Sequence, residues 1–528
     1  MKAKLVTIAA LALLLCACSK TEKQPQADTS VNEITVVLSD AGVQVDGAGE
    51  GAVYTAKNIV YYEAGKGIAY GEGGQEDAHT PEEAQAHTVV HIAKAGTYRL
   101  SGKLSKGQIA VDLGEDAKEN PEAVVTLIFD GVDITCEVAP AVIFYNVYEC
   151  ADTEKATKDV DTAKAGANVV LADGSKNTVN GGYVARIYKP DTVELNEDGT
   201  QVVEAKKLHK YDGAFYSKMS MNVGGEQENT GSLDIHAENE GLDSEMHLTV
   251  NGGNINIFSG NDGINTNEDG ISVTTVNGGK LSITVTGETG EGDGIDSNGW
   301  LVINGGTVIA QACSNSADAG IDSDMGIHIN GGTVIATGSM LDRIEDGGQT
   351  YAVFSFAQKQ TQKEVVYLKD AAGKAVLEYT PENAYSVLIY SAPALQEGTY
   401  TLWSGDTQLA GQKGAVMGGM GRPSDGQPPK DAEMPEGGFA PPEDFTMPEG
   451  QQPPEGMERP EDFTMPEGGF TPPEGQEPPN GFTAPNGERP QRPGNGQGGQ
   501  GDLPQGSAEK STEFVIVAGG NMFSNVAP

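Results

Sequence analysis

The chain has 528 residues, is 37% apolar and carries a formal net charge of −42. Its length allows a large core or several domains, but 71 glycines and so modest an apolar share suit an elongated β protein with many turns better than a compact helical one. With 76 Asp and Glu against 34 Lys and Arg, the clustered cationic surface that phosphate recognition needs is missing, so no nucleic-acid partner is expected.

In chain order the first element is a targeting signal. Lys2 and Lys4 precede an apolar stretch, Leu5 to Leu15, that is too short to span a bilayer. The segment Leu15-Cys16-Ala17-Cys18 resembles the lipobox of bacterial lipoproteins. That resemblance implies a signal peptide over 1–17, cut before Cys18, with Cys18 lipidated as the membrane anchor. Several acyl chains on one cysteine hold a protein stably, at about 0.8 kcal/mol per buried CH₂. An ordinary secretory signal cut elsewhere is the alternative. On either reading the protein is exported, and the lipobox places it at the bacterial cell envelope or surface. Residues 18–33 are polar, lack an apolar period and read as a flexible tether.

From 34 to 412, short β-type runs such as Ile34-Thr35-Val36-Val37-Leu38 alternate with Gly, Asn and Asp turns, and only 81–85 offers a short helix. An internal repeat organises this region. Asn-Gly-Gly begins at Asn251, Asn277, Asn304 and Asn330, in steps of 26, 27 and 26 residues. Between the copies runs a second motif: Glu240-Gly241-Leu242-Asp243-Ser244, Asp262-Gly263-Ile264-Asn265-Thr266, Asp293-Gly294-Ile295-Asp296-Ser297 and Ala319-Gly320-Ile321-Asp322-Ser323. Each period holds three short strands and three turns, too little to close a domain alone. Stacking the periods about 4.8 Å apart pairs each strand with its counterparts and buries a column of Leu242, Ile264, Ile295 and Ile321. Glycine pairs supply corners with positive φ, and crossovers between parallel strands are right-handed. A β-propeller would need about 40–50 residues per blade. The expected fold is therefore all-β, a right-handed parallel β-helix. Aspartate at Ile264, Ile295 or Ile321 should be severely destabilising, and at Thr274 milder. Cys136 and Cys150 are candidates for a disulfide in an oxidising compartment, whereas Cys313 reads as a small buried hydrophobe. Without a CxxC pair, no zinc site is expected.

Composition changes abruptly over 413–510. Nineteen of the 27 prolines lie between Pro423 and Pro504, and Pro442-Glu443-Asp444-Phe445-Thr446-Met447-Pro448-Glu449-Gly450 recurs from Pro460 to Gly468. Pro and Gly at this density build neither ladder nor core, so a disordered Pro/Gly-rich insertion is expected. Residues 511–528, containing Glu513-Phe514-Val515-Ile516-Val517-Ala518, read as a C-terminal strand.

Stacking would also align outward residues. One column holds Asp243, Asn265, Asp296 and Asp322, a second Glu245, Asn267, Asn298 and Asp324, and a third Glu240, Asp262 and Asp293. Carboxylates about 5 Å apart repel unless cations lie between them. Calcium accepts carboxylate, amide and backbone oxygens, all of which these columns supply. Asp243, Asp262, Asp293, Asp296, Asp322 and Asp324 are the candidate metal ligands, and calcium is the expected cofactor. The competing reading is solvated turn residues, since Asp and Asn favour turns in any case. No catalytic residue is singled out. The seven histidines are scattered, and Lys280 is the only Lys or Arg between 239 and 338, where a lyase would need a base. Flat rings suit the C–H faces of sugars. Trp300, beside the Asn298-Gly299 turn, is the leading carbohydrate-binding candidate, together with Tyr216; Tyr183, Tyr188, Tyr211 and Phe215 offer further rings near the first coils.

The run Ala95-Gly96-Thr97-Tyr98-Arg99-Leu100-Ser101-Gly102 is followed by Gly107-Gln108-Ile109-Ala110-Val111-Asp112, Leu127-Ile128-Phe129-Asp130-Gly131-Val132-Asp133-Ile134 and Leu171-Ala172-Asp173-Gly174-Ser175-Lys176-Asn177-Thr178. Together with the repeats, over roughly 34–410, these runs resemble the bacterial carbohydrate-binding domain-containing proteins, which have a pectate-lyase-like, calcium-containing parallel β-helix. The resemblance implies a non-catalytic surface protein that binds acidic (pectin-like) or cellulosic polysaccharides. The matching acidic positions are Asp243, Asp293, Asp296, Asp322 and Asp324. Asn265 and Ala319 depart from the pattern, each standing where a carboxylate would be expected, and segments 145–164 and 190–207 look like insertions. Two alternatives stand beside this reading: a calcium-dependent polysaccharide lyase, and a structural adhesin or envelope spacer.

Overall fold

The computed structural model describes residues 33–151, 153–155, 157–414 and 510–528. The expected signal peptide, Cys18, nearly all of the tether and the Pro-rich stretch 415–509 lie outside the described residues. What is described is an all-β protein, with Pro81–Ala86 its one α-helix. That helix starts where it does because of a capping box. Thr80 Oγ1 accepts from the Glu83 N–H at 3.2 Å, and the Glu83 carboxylate accepts from the Thr80 N–H at 2.8 Å, with Pro81 in the first turn.

Between 88 and 338, short strands pair in parallel with their counterparts one period on, apart from the small hairpin of Glu194–Leu195 and Val202–Glu204. Three ladders result. In the first, Val90, Ile109, Val142, Phe215, Leu242, Ile264 and Ile295 align. In the second, Leu127, Val169, Val223, Val250, Val276, Ile303 and Ile329 align. In the third, Ile134, Val179, Ile235, Ile257, Ile283, Ala310 and Ala336 align. All of these side chains are buried in one continuous core, and Ile321 joins them. Thr274 aligns between Leu248 and Leu301 and is fully buried, so the expectation of a mild site there is corrected. A threonine passes as an outward residue in the sequence, yet its hydroxyl is satisfied inside by Thr266 Oγ1 at 3.1 Å.

The Asn-Gly-Gly corners show why the motif repeats. Gly306 has φ +77°, and an added Cβ would lie 2.7 Å from the Gly279 carbonyl oxygen. Conformation and close stacking therefore both require glycine. Beside it the asparagines form an amide ladder: Asn277 donates to Asn251 at 2.9 Å, Asn304 to Asn277 at 2.9 Å and Asn330 to Asn304 at 2.8 Å.

The stacking of parallel strands ends with Thr333–Gly338, short of the expected 412; beyond it lie single parallel bridges at Ala319–Met340 and Ile327–Ile344 and the parallel pair of Tyr351–Gln360 with Gly520–Ala527. Thr333–Gly338 pairs antiparallel with Tyr385–Ser391, which pairs antiparallel with Tyr351–Gln360. Val366–Asp370, Ala375–Tyr379, Gly398–Ser404 and Phe514–Ile516 form a further antiparallel sheet over a second core. The reason is local. Asp370 to Lys374 is a tight turn closed by the Gly373 N–H on the Asp370 carbonyl at 2.8 Å, and a short turn joins antiparallel strands, never parallel ones. The single C-terminal strand expected over 511–528 is two, Phe514–Ile516 and Gly520–Ala527, in different sheets. Cys136, Cys150 and Cys313 are all free, so no Cys136–Cys150 disulfide forms in this structure, and Cys313 is buried.

Candidate functional site

The first ladder belongs to an eight-stranded sheet built from Val53–Ala56, Thr88–Ile92, Gly107–Asp112, Val142–Asn146, Gly213–Ser217, Glu240–Ser244, Ile264–Thr266 and Ile295–Ser297. Strand alternation turns the neighbour of each core residue to the opposite face. One outward row therefore runs Tyr54, His91, Ala110, Ile143, Tyr216, Asp243, Asn265, Asp296. It begins with a stacked pair, Tyr54 and His91, whose ring centroids lie 4.6 Å apart at 12°. It ends among carboxylates.

At the acidic end, Asp293, Asp296 and Asp322 each bring a carboxylate oxygen within 4.8 Å of the others. Asp296 is 7% and Asp322 5% exposed, and Asp293 is half-buried. Asp293 Oδ1 accepts from the Ala319 N–H at 2.6 Å, while the Asp293 N–H donates to Asp262 Oδ1 at 2.7 Å. The stacked turns are thus tied together by the same carboxylates that crowd there. Burial, and then the charges of Asp322, Asp262, Asp296 and Asp318, push the Asp293 pKa well above the ordinary carboxylate value.

Asp243 belongs to a different group. It is 0% exposed, Oδ2 has no hydrogen-bond partner, and Oδ1 accepts from the Asn267 amide. Asn265 Nδ2 donates to Glu240 Oε1 at 2.8 Å. Burial, with Glu240, Asp212 and Glu245 nearby, raises the Asp243 pKa strongly. Arg186 donates to Asp212 at 3.1 Å, bringing a cation beside these acids. Of the six expected metal ligands, then, Asp293, Asp296 and Asp322 come together and Asp262 adjoins them. Asp243 sits apart, and Asp324 is exposed and outside the group.

Among the candidate ring faces, Tyr216 is corrected. It is 1% exposed, its hydroxyl donates to Glu245, and Tyr211 lies edge-on to it at 4.9 Å. No face is left for a sugar, because Tyr211, from a stretch without a repeat, closes over it, and Tyr145 packs edge-on against Tyr211 at 5.7 Å. Phe215 is likewise buried. His209 stacks on Tyr211 at 4.1 Å and 11°, and burial lowers its pKa to about 4. Trp300 is half-buried at the start of Trp300–Ile303 in the second ladder, 5.2 Å from the His328 ring. It lies around the corner from Asp296, beyond the turn at Asn298 and Gly299. Sequence reasoning missed the Tyr54–His91 pair, whose members are 37 positions apart and carry no shared motif. The insertion at 145–164 also proves to be a strap: Thr162 Oγ1 donates to Asn222 at 2.9 Å and pairs with Thr249 Oγ1 at 2.7 Å, covering part of the second ladder.

A family model described as carbohydrate-binding domain-containing protein matches residues 86–350. No curated protein matches. Among solved structures the chain is similar to the polysaccharide lyase-like protein from C. thermocellum, in a gadolinium derivative. Identity is 20% and the TM-score 0.32, over 57% of this chain and 90% of that one. The family match spans half of the chain and contains both acidic groups and Trp300; the chain belongs to the carbohydrate-binding domain-containing protein family.

Proposed function

We propose that this protein is an exported lipoprotein, anchored through Cys18, that binds acidic (pectin-like) or cellulosic polysaccharide without cleaving it. The three parallel ladders wind as a right-handed parallel β-helix, and its acidic face holds calcium. The observation that carries this reading is the convergence of Asp293, Asp296 and Asp322 within 4.8 Å. The donor set fits calcium: it is all oxygen and anionic, with a neighbouring carboxylate at Asp262. Bound there, calcium would neutralise the mutual repulsion and offer open coordination positions to uronate carboxylates. Trp300 and the Tyr54–His91 pair supply ring faces for neutral parts of the glycan.

Against cleavage stands the state of Arg186, the guanidinium beside the Asp212 and Glu240 acids. Burial works to lower its pKa, but Asp212, Glu240 and Glu72 more than offset this and hold it above its ordinary value. A base must give up its proton near the working pH, and this one is held protonated. The test is a glycan array probed with calcium and with chelator, alongside ultraviolet absorbance of the same glycans in solution. Calcium-dependent retention without release of unsaturated uronides is expected. Release of uronides would establish a lyase instead, and neither outcome would leave a structural spacer.

A further inference from the structure

Residues 351–413 and 510–528 lie beyond the stretch that the family model matches, and their antiparallel sheet has two unlike faces. Leu368, Leu377, Leu402 and Ile516 point into the second core. Alternation puts Tyr367, Lys369, Thr401 and Trp403 on the other face, where all four are half-buried. Tyr367 aligns with Trp403 and Lys369 with Thr401. Lys369 Nζ lies 4.5 Å from the centroid of Trp403 and 5.1 Å from that of Tyr367. The indole is fixed by its Nε1–H, which donates to Thr401 Oγ1 at 2.9 Å.

This ammonium is unusual in its chain. Acids outnumber bases more than two to one, yet no carboxylate forms an ion pair with Lys369 among the described residues. Glu378, opposite Tyr367 on the other flanking strand, is exposed and does not do so either. A cation held between two ring faces by cation–π attraction, with no counter-charge among the described residues, is placed for an external anion. Hydroxyls at Thr399 and Thr401 flank it, and Val515 is the exposed aliphatic side chain aligned with this row. So little contiguous apolar surface does not suit a protein partner. The electron-rich ring faces do suit the C–H face of a sugar.

We propose that Tyr367, Lys369 and Trp403 form a second glycan subsite that takes a uronate unit of an acidic polysaccharide without calcium. The uronate carboxylate pairs with Lys369, and its ring packs on Trp403. The inference rests on the glycan-binding reading above but uses different residues and no metal. Two subsites on one chain would bind a long polymer more tightly than either alone.

Trp300 and Trp403 are the only tryptophans, so Trp300→Phe in the full chain leaves Trp403 as the sole indole reporter. In chelator, oligogalacturonate should change Trp403 emission saturably, and a neutral cello-oligosaccharide of equal length should do so far less. Lys369→Gln and Tyr367→Ala should each weaken the response at least tenfold at unchanged melting temperature, and Lys369→Arg should restore it. A flat Trp403 signal, or equal affinity in Lys369→Gln, overturns the subsite. If wild type then still retains polygalacturonate in calcium, only this inference falls; if it does not, the proposed function falls too. Should deletion of 423–504 alone shift Trp403 emission, the face serves the chain's own acidic Pro-rich segment, and the glycan assignment is overturned.

Discussion

Asp293 bears the electrostatic cost of the acidic face. Its raised pKa, caused first by burial and then by Asp322, Asp262, Asp296 and Asp318, means that the folded chain holds this proton more tightly than the unfolded one. There is no penalty below the unfolded value of 3.8, and stability is lost as pH rises from there through the folded pKa. In chelator, Asp293→Asn should therefore gain in melting temperature relative to wild type between about pH 4 and pH 7. Calcium should reverse the order at neutral pH, since ligand at a hundredfold excess over Kd stabilises the native state by about 2.7 kcal/mol. Parallel pH profiles for the two proteins would sink the account of this residue. The acidic columns were legible because one turn recurs at a fixed spacing. Their division into two groups was not, because which side chains converge depends on how the turns stack: Asp322 meets Asp293 and Asp296, while Asp243 is held by the Asn267 amide. Tyr216 was misjudged for a related reason: its cover includes Tyr211, which lies in a stretch that carries no repeat.

At the scale of single elements, corners and inner rows hold the stack together. Gly174 and Gly306 share a positive φ, +74° and +77°, but a Cβ at Gly174 would meet nothing within 4 Å, whereas at Gly306 it would meet a carbonyl oxygen at 2.7 Å. Alanine at Gly174 should cost about 1 kcal/mol from backbone strain alone. Alanine at Gly306 should cost more in urea unfolding, because the next coil must also shift. Equal losses would mean that close stacking does not restrict this corner. Ile295→Asp places an unpaired charge in the first ladder and should cost about 3–5 kcal/mol, against little for Lys280→Asp at an exposed strand position. Similar melting of the two variants would contradict the inner row. The Asn-Gly-Gly spacing made the ladders from 251 to 338 readable. The sequence from 351 onward shows the same two-residue alternation, and alternation alone does not tell a strand whether its partner runs parallel; the Asp370–Gly373 turn was the available signal.

For the whole molecule, the lipobox resemblance predicts that Cys18→Ser releases the protein from the membrane fraction, and retention there would remove the anchor from the account. Deleting 423–504 should leave the thermal transition of the described part in place, since a sequence so rich in proline and so poor in apolar side chains has too little to offset its ordering entropy. Loss of cooperative melting would show that it packs on the rest. Composition and repeat period conveyed the all-β class, because both depend on many residues at once, while the family came only from the resemblance of particular runs such as Ala95 to Gly102 and Leu171 to Thr178. The antiparallel module and its Tyr367–Trp403 face depend on a few residues in a stretch without repeats, and chain order does not reveal them. The central claim is that the Asp293, Asp296 and Asp322 group holds polysaccharide through calcium, and one measurement addresses it directly: migration through a polygalacturonate gel at fixed free calcium, for wild type and for Asp296→Asn with Asp322→Asn. Wild type should be retarded in calcium well beyond its retardation in chelator, and the double variant should migrate in calcium as wild type does in chelator. Equal retardation of both proteins in calcium, or of wild type with and without it, would contradict the claim.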